Sequence, residues 1–376
     1  MNVKILLPIS LISLLLLGSC SLETSKNDDI KVIPHTEYTP DDSMIEKFKE
    51  MKQSADADQA LHQTYKDLPI IDVHNHDASA MPLDYWNEYG IDRTVLFGNI
   101  SEPAAQVTDS ASWNHYIDHT DRIFPSFAGI PLDEENNMEF KKVMKEHLEQ
   151  GYLNIGEIVA ASTYSRLTSN LKWKAENPNW GNLPGLYELA EKYKVPVLLH
   201  IDPPKGAPIA HLKRALADHP KTIFIFGHGN VFNSPANLAK LLKNHDNLYI
   251  DFYAGFTRYD KGSSHKLEDF VPIIEKYPDR FMLGSDSGSG IGLSDGYEAM
   301  YEVLNMLAPE TAVKVAYQNY ERLIEIQPPT KTQIREIGKL TDKLNIQDKK
   351  YKLNKREANE LLFQLQKQVE NQTSAE

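Results

Sequence analysis

Four histidines and one aspartate follow apolar segments of the chain, and these residue types can hold a divalent metal ion. His74 and His76 follow the first such segment, and residues two apart on a strand point to the same side. His200 ends a later segment, and His228 and Asp286 follow closely after two others. Imidazole and carboxylate groups suit Zn²⁺, which acidifies water when one coordination position stays open. Each residue alone would be a hydrogen-bonded core histidine or a capping aspartate, but the set predicts a hydrolytic metal centre.

The apolar segments that carry these residues alternate with helical stretches. Their spacing suits a parallel strand and its returning helix, and near-continuous apolar strands indicate a buried parallel sheet. Eight such units predict a (β/α)8 TIM barrel, whose active site lies at the carboxyl ends of the strands. An open doubly wound sheet is the alternative, but no glycine-rich phosphate-binding motif follows the first segment. The eight segments are Ile70–Val73, Thr94–Phe97, Ile123–Ile130, Asn154–Val159, Val195–His200, Thr222–Gly227, Leu248–Phe252 and Arg280–Gly284.

The ordered set of site residues resembles the amidohydrolase superfamily, and specifically its amidohydrolase-related (amidohydrolase 2) branch, which also contains decarboxylases and lactonases. The resemblance covers about Leu68 to Ile324. Further segments that fit the family pattern are Leu183–Glu188, Lys194–His200, Asp279–Asp286 and Asn319–Ile324.

The resemblance implies a role for each of these residues. His74, His76 and His200 would bind the metal, most suitably Zn²⁺, with Asp286 close to it. Asp286 would accept a proton from the activated water and pass it to the leaving group. His228 would polarise the scissile carbonyl or stabilise the oxyanion, although in related sites this histidine binds a second metal.

Glu157, in the fourth apolar segment, leaves the number of ions open. It could bridge two ions, with His200 and His228 on the second, or it could hydrogen-bond a ligand without touching a metal. The family resemblance favours one ion.

The leading functional prediction is a hydrolase that cleaves an amide, ester or lactone of a small carbonyl compound. The first alternative is a metal-dependent non-oxidative decarboxylase on the same barrel, and the second is a lipid-anchored binding protein that has lost catalysis. The loops after the strands should contact the small-molecule substrate. Arg166, in the long loop after the fourth segment, and Tyr253 and Arg258, after the seventh, are candidates for this contact.

The N-terminus is typical of an exported lipoprotein. Lys4 precedes an apolar run that is too short for a comfortable membrane span, and small residues lead to Cys20, the chain's single cysteine. By this resemblance, residues 1–19 form a signal peptide and Cys20 carries lipid. The protein would then be anchored to a membrane of a bacterial cell envelope, on its periplasmic or surface face.

Composition completes the domain assignment. The chain has 376 residues and a net charge of -13, so nucleic acid is a poor partner. Residues 20–42 are predicted to be a flexible tether, and residues 43–326 the barrel domain with an N-terminal helix from Met44 to about Tyr65, capped by Ser43. Residues 327–376 are predicted to form a polar helical extension that packs on the barrel or on a neighbouring chain, which leaves a homo-oligomer open.

Overall fold

The predicted TIM barrel is present. The computed structural model describes residues 31–56, 58–161, 168, 170–202 and 207–375, in which eight parallel strands close into a barrel in sequential order, β2 to β9. The strands are β1 (Lys31–Pro34), β2 (Ile70–Asn75), β3 (Ile91–Leu96), β4 (Ile123–Phe127), β5 (Asn154–Ala161), β6 (Val197–Ile201), β7 (Phe224–Phe226), β8 (Leu248–Phe252), β9 (Phe281–Leu283) and β10 (Lys350–Leu353).

Helices connect and cover the barrel strands. The α-helices are α1 (Ser43–Gln53), α2 (Leu61–Thr64), α3 (Leu83–Glu88), α4 (Ala105–Asp118), α5 (Asn137–Gln150), α6 (Leu183–Tyr193), α7 (Ala207–Asp218), α8 (Pro235–Asn244), α9 (Ala254–Tyr259), α10 (Leu267–Lys276), α11 (Leu293–Met306), α12 (Pro309–Val313), α13 (Asn319–Glu325), α14 (Lys331–Lys343) and α15 (Lys355–Ala375). One turn of π-helix, Lys314–Gln318, joins α12 to α13, and short 3-10 turns lie at Asp77–Ser79, Glu134–Asn136 and Pro278–Arg280.

The barrel strands are buried on both faces, because side chains fill the interior and helices cover the outside. Every residue of β2 and of β5 is buried. This burial explains the near-continuous apolar segments. It also makes polar residues inside those strands conspicuous, since a buried polar group needs a partner.

The predicted N-terminal helix is interrupted. Helix α1 ends at Gln53 and α2 begins only at Leu61. The break coincides with a turn in which Asp56 Oδ1 accepts the backbone N–H of Asp58 at 3.1 Å, and acidic residues at a helix C-terminus oppose the helix dipole. Ser43 does not act as a cap, because the N-cap position falls on Asp42.

The predicted tether and C-terminal extension both contain a strand that the sequence did not reveal. Strand β1 pairs in parallel with β10, in the register Lys31 to Lys350, so part of the tether is ordered against the extension. The extension itself consists of α14, β10 and α15. A second small core joins the two helices, formed by Ile337, Ala358, Leu362 and Leu365.

Buried polar contacts attach the extension to the barrel near the amino-terminal end of β5. The Gln333 side chain donates to Asn359 Oδ1 at 2.6 Å and to the carbonyl of Lys355 at 3.0 Å. Asn359 in turn donates to the carbonyl of Gly151 at 2.9 Å, at the end of α5 that leads into β5. The extension therefore packs on its own barrel, as one of the two predicted arrangements requires.

The predicted signal peptide and Cys20 lie outside the described residues, so the lipid anchor stays a prediction. Among the residues that the structure describes, no helix has both the length and the apolar character needed to cross a membrane.

Candidate metal centre

The strand ends bring all the predicted metal-centre residues together. Glu157 lies on β5 with both faces of its strand buried, and it is the group that the others surround. The two histidines of β2 approach it from one side, since His74 Nε2 and His76 Nε2 each lie 3.6 Å from Glu157 Oε2. From the other side, His200 Nδ1 and His228 Nε2 lie 2.9 and 3.0 Å from Glu157 Oε1. Each carboxylate oxygen therefore faces its own pair of imidazoles.

Hydrogen bonds behind the rings fix which nitrogen of His74 and of His76 faces the centre. His74 Nδ1 lies 2.7 Å from Asp251 Oδ2, and His76 Nδ1 lies 2.9 Å from the carbonyl of Gly98. A carbonyl or an ionised carboxylate can only accept, so Nδ1 carries the proton in both rings. The Nε2 lone pairs of both histidines are then directed into the centre, as metal ligation requires.

Asp251 is a functional residue that the sequence interpretation missed. Its Oδ2 atom accepts the Nδ1–H of His74 and also the backbone N–H of His228, at 2.8 Å. One buried carboxylate thus positions a residue of each imidazole pair. The sequence feature that could have identified Asp251 is an acidic residue inside the otherwise apolar segment Leu248–Phe252. Asp72 is a similar case in β2, where its carboxylate accepts hydrogen bonds from Ser285.

Asp286 lies beside the His74–His76 pair. Its Oδ1 atom is 3.5 Å from His74 Nε2 and 3.6 Å from His76 Nε2, and its backbone N–H donates to the carbonyl of His74 at 2.9 Å. Asp286 and His228 both have positive φ angles, 46° and 36°. Such angles are uncommon for residues other than glycine and concentrate at functional sites, where the surroundings hold them.

The electrostatics of the centre reflect the close mixing of carboxylates and imidazoles. Burial alone would lower the pKa of His200, but the facing carboxylates of Glu157 and Asp202 raise it to about 10. Burial likewise opposes the charge of Glu157, yet His200 and His74 hold the pKa of that carboxyl well below its usual value. Burial also disfavours the charged form of His74, but Glu157, Asp286 and Asp251 raise its pKa well above the usual value. The carboxylates therefore favour positive charge at the centre.

The donor atoms fit divalent cations. Two groups of three residues have ligand atoms within 4.8 Å of one another, His74 with His76 and Glu157, and Glu157 with His200 and His228. Within the pairs, the facing nitrogens are 3.1 and 2.9 Å apart. Tetrahedral ligation at about 2.0–2.1 Å puts ligand atoms roughly 3.3 Å apart, so a cation needs little adjustment of either pair. Facing lone pairs would repel without a cation or proton between them.

A cavity of about 360 Å³ opens onto this centre. One wall comes from the segment after β3, which contributes Gly98, Asn99, Ile100 and Glu102. The remaining lining outside the metal centre consists of Ser79, Thr168, Leu171, Ser287, Gly288 and Ser289.

The three predicted substrate-binding residues have different locations. Arg258 is half exposed, pairs with Glu302 at 2.7 Å and is not among the described residues that line this cavity. Tyr253 is buried behind the cavity, where its hydroxyl shares a 2.6 Å hydrogen bond with Ser289 Oγ. Arg166 lies outside the described residues.

The closed eight-stranded barrel and the histidine–carboxylate cluster at its strand ends define a metal-binding (β/α)8 enzyme. The sequence model of the amidohydrolase family matches residues 35–326, which is more than half of the chain. The chain belongs to the amidohydrolase family, as the sequence predicted.

Three solved structures are similar to this chain. A protein from Agrobacterium tumefaciens, solved in its apo form, is 18% identical, with 69% of this chain and 96% of that chain covered and a TM-score of 0.50. A TIM-barrel protein from Bordetella bronchiseptica is 16% identical, with 78% and 96% covered and a TM-score of 0.47. The 2,6-dihydroxybenzoate decarboxylase from Rhizobium is 14% identical, with the same coverage and a TM-score of 0.46. At 18% identity, the similarity to the Agrobacterium tumefaciens protein shows the fold alone. No curated protein matches the chain.

Proposed function

We propose that the protein is a hydrolase that holds two divalent cations, one at His74 and His76 and one at His200 and His228, with Glu157 between them. The observation that carries the proposal is the arrangement of Glu157, whose two oxygens each face a separate pair of imidazole nitrogens. The family resemblance favoured a single ion, but this geometry supports two. The nitrogen-rich donor set makes Zn²⁺ the best-fitting cation.

The cations would acidify a water molecule and polarise the substrate's carbonyl group, as in other hydrolytic metal sites. The chain's own residues handle the protons. Asp286 accepts the proton of the attacking water and returns it to the leaving amine or alcohol. In this proposal His228 binds the second ion instead of polarising the carbonyl, and Asp251 keeps the lone pair of His74 directed into the centre.

The cavity lining supports hydrolysis over decarboxylation. A decarboxylase must hold the carboxylate of its substrate, for which a lysine or arginine is the usual partner. Within the described part of the lining there is neither, and Glu102 would repel such a substrate. Hydroxyl and amide groups such as Ser79 and Asn99 suit the neutral polar atoms of an amide, ester or lactone.

The Asp286→Asn variant tests the proposed chemistry. Because the amide cannot take up a proton, we expect turnover to fall by about 10²–10⁴-fold while the cations are largely retained. The measurement is a screen of lactones, esters, amides and aromatic carboxylic acids, with metal content determined by mass spectrometry for each preparation. Asp118→Asn, at an exposed position of α4, is the matched control.

Three outcomes would overturn the proposal. Undiminished turnover in Asp286→Asn would remove Asp286 as the proton carrier. Full activity in a metal-free preparation would remove the metal from the reaction. Release of CO₂ from an aromatic acid, with no hydrolysis of the other compounds, would favour the decarboxylase.

A further inference from the structure

The cavity wall formed by the segment after β3 carries a carboxylate that the proposed reaction does not use. Glu102 lines the cavity together with Glu157, His228 and Asp286. No hydrogen bond or ion pair from another described residue reaches its side chain, and only its backbone carbonyl is engaged, by the N–H of Ala105 at 3.0 Å. A carboxylate without a partner beside a substrate cavity is available to bind a ligand.

Two divalent cations at the proposed metal centre would be balanced without Glu102. Glu157 and Asp286 face the proposed cations, Asp251 lies behind His74, and Asp202 Oδ2 lies 3.1 Å from His200 Nε2. These four carboxylates would match the charge of the two proposed divalent cations. Glu102 therefore adds a negative charge to the cavity that no described lysine or arginine of the lining offsets.

The backbone at Glu102 is held in place by its neighbour Ser101. Ser101 is fully buried, its Oγ accepts the N–H of Val159 on β5 at 2.9 Å, and its carbonyl accepts the N–H of Trp173 at 2.8 Å. Its φ of 47° lies in the left-handed region, which residues other than glycine seldom adopt. Pro103 follows and restricts the backbone of Glu102 itself. The backbone of this segment is already fixed in the folded protein. A substrate that binds Glu102 therefore loses little binding free energy to ordering it.

We infer that the substrate carries a cationic nitrogen, an ammonium or amidinium group, which Glu102 binds while the carbonyl group is at the metal centre. The inference rests on the proposed hydrolase and specifies its substrate class. Glu102 is then the residue that selects cationic over neutral or anionic carbonyl compounds. The selection weakens as ionic strength rises, since Glu102 is partly exposed to solvent.

Three isosteric 4-nitroanilides test this selection: the 4-aminobutanoyl compound is cationic, the pentanoyl compound neutral and the succinyl compound anionic. For the zinc-loaded wild type we expect kcat/KM to favour the cationic over the neutral compound by about five- to tenfold. Glu102→Gln should reduce this ratio to about one, chiefly by lowering kcat/KM for the cationic compound. Glu88→Gln, at an exposed position of α3, should leave the ratio unchanged. Equal or greater turnover of the neutral or anionic compound, or a ratio unaffected by Glu102→Gln, would overturn the inference.

Binding separates failure of this inference from failure of the proposed function. Calorimetric titration of the zinc-loaded wild type and Glu102→Gln with 4-aminobutanamide and pentanamide requires no turnover. Tighter binding of 4-aminobutanamide that Glu102→Gln abolishes supports the role of Glu102, even if nothing is hydrolysed. Equal binding of the two amides to the wild type removes that role, even if the neutral anilide is hydrolysed.

Discussion

At the scale of single residues, the histidine–carboxylate cluster at the strand ends is held by Asp251, whose side chain contacts a residue of each imidazole pair. His74, His76, His200, His228 and Asp286 stand at strand ends, so the barrel rule alone brings them together. Asp251 could not be assigned in this way. Its partners lie on β2 and after β7, and only the closed barrel brings those two places into contact with one carboxylate.

The substitution Asp251→Asn tests this supporting role. An amide oxygen can accept the same two hydrogen bonds, but it is uncharged and accepts them more weakly than the ionised Oδ2. Oδ1 is buried with no hydrogen-bond partner among the described residues, so an NH₂ group there would be unsatisfied. We expect cation affinity to fall by about 10–100-fold, the usual effect of removing such a partner. Metal retention against a chelator series provides the measurement. Wild-type retention would show that Asp251 does not position the ligands.

At the scale of elements, the eight barrel strands followed from their apolar sequences, whereas the pairing of β1 with β10 did not. Both of these strands are short and mostly exposed, and they are separated by almost the whole chain. Nothing local distinguishes such a pair from polar linker sequence. Asp56 and Asp58 indicate the break between α1 and α2 in the sequence. The prediction missed it because it rested on the absence of glycine and proline and did not consider these acidic residues.

Gly284 shows how closely the barrel elements approach at the site. A Cβ atom built there would lie 2.1 Å from Asp251 Oδ1 and 2.7 Å from His74 Cβ. The chain after β9 can therefore approach β8 and β2 this closely only if residue 284 has no side chain. We expect Gly284→Ala to destabilise the protein by about 1–3 kcal/mol and to weaken metal binding. Denaturant unfolding with metal analysis measures both effects.

Gly185→Ala is the matched control for Gly284→Ala. Its added Cβ would meet Phe140 at an ordinary 3.5 Å within α6, where alanine is the better helix former. Equal stabilities of the two variants would contradict the packing account at β9.

At the scale of the whole molecule, the C-terminal extension belongs to the folded unit, and a buried lysine marks the junction. Lys355 begins α15, and its Nζ lies 3.5 Å from the carbonyl of Tyr152. Burial lowers the pKa of Lys355 to about 7. Between pH 7 and the ordinary lysine value near 10.4, the unfolded chain binds the proton and the folded one does not, so this residue makes stability rise with pH.

We therefore expect Lys355→Met to remove a slope of up to about 1.4 kcal/mol per pH unit from the free energy of unfolding. The variant should be more stable than the wild type near pH 7, and the difference should shrink towards pH 9.5. Urea unfolding at several pH values measures this, with Lys367→Met on the exposed face of α15 as the control. Parallel pH curves for wild type and Lys355→Met would show that the lysine is not neutral when folded.

The central claim is that the Glu157 carboxylate is shared by two divalent cations, and metal stoichiometry tests it most directly. Mass spectrometry of zinc-saturated protein should give about two ions per chain for the wild type. Glu157→Gln, which keeps the shape but removes the charge that both imidazole pairs face, should give one or fewer. A wild-type value of one that Glu157→Gln leaves unchanged would contradict the two-ion site and return Glu157 to a supporting role.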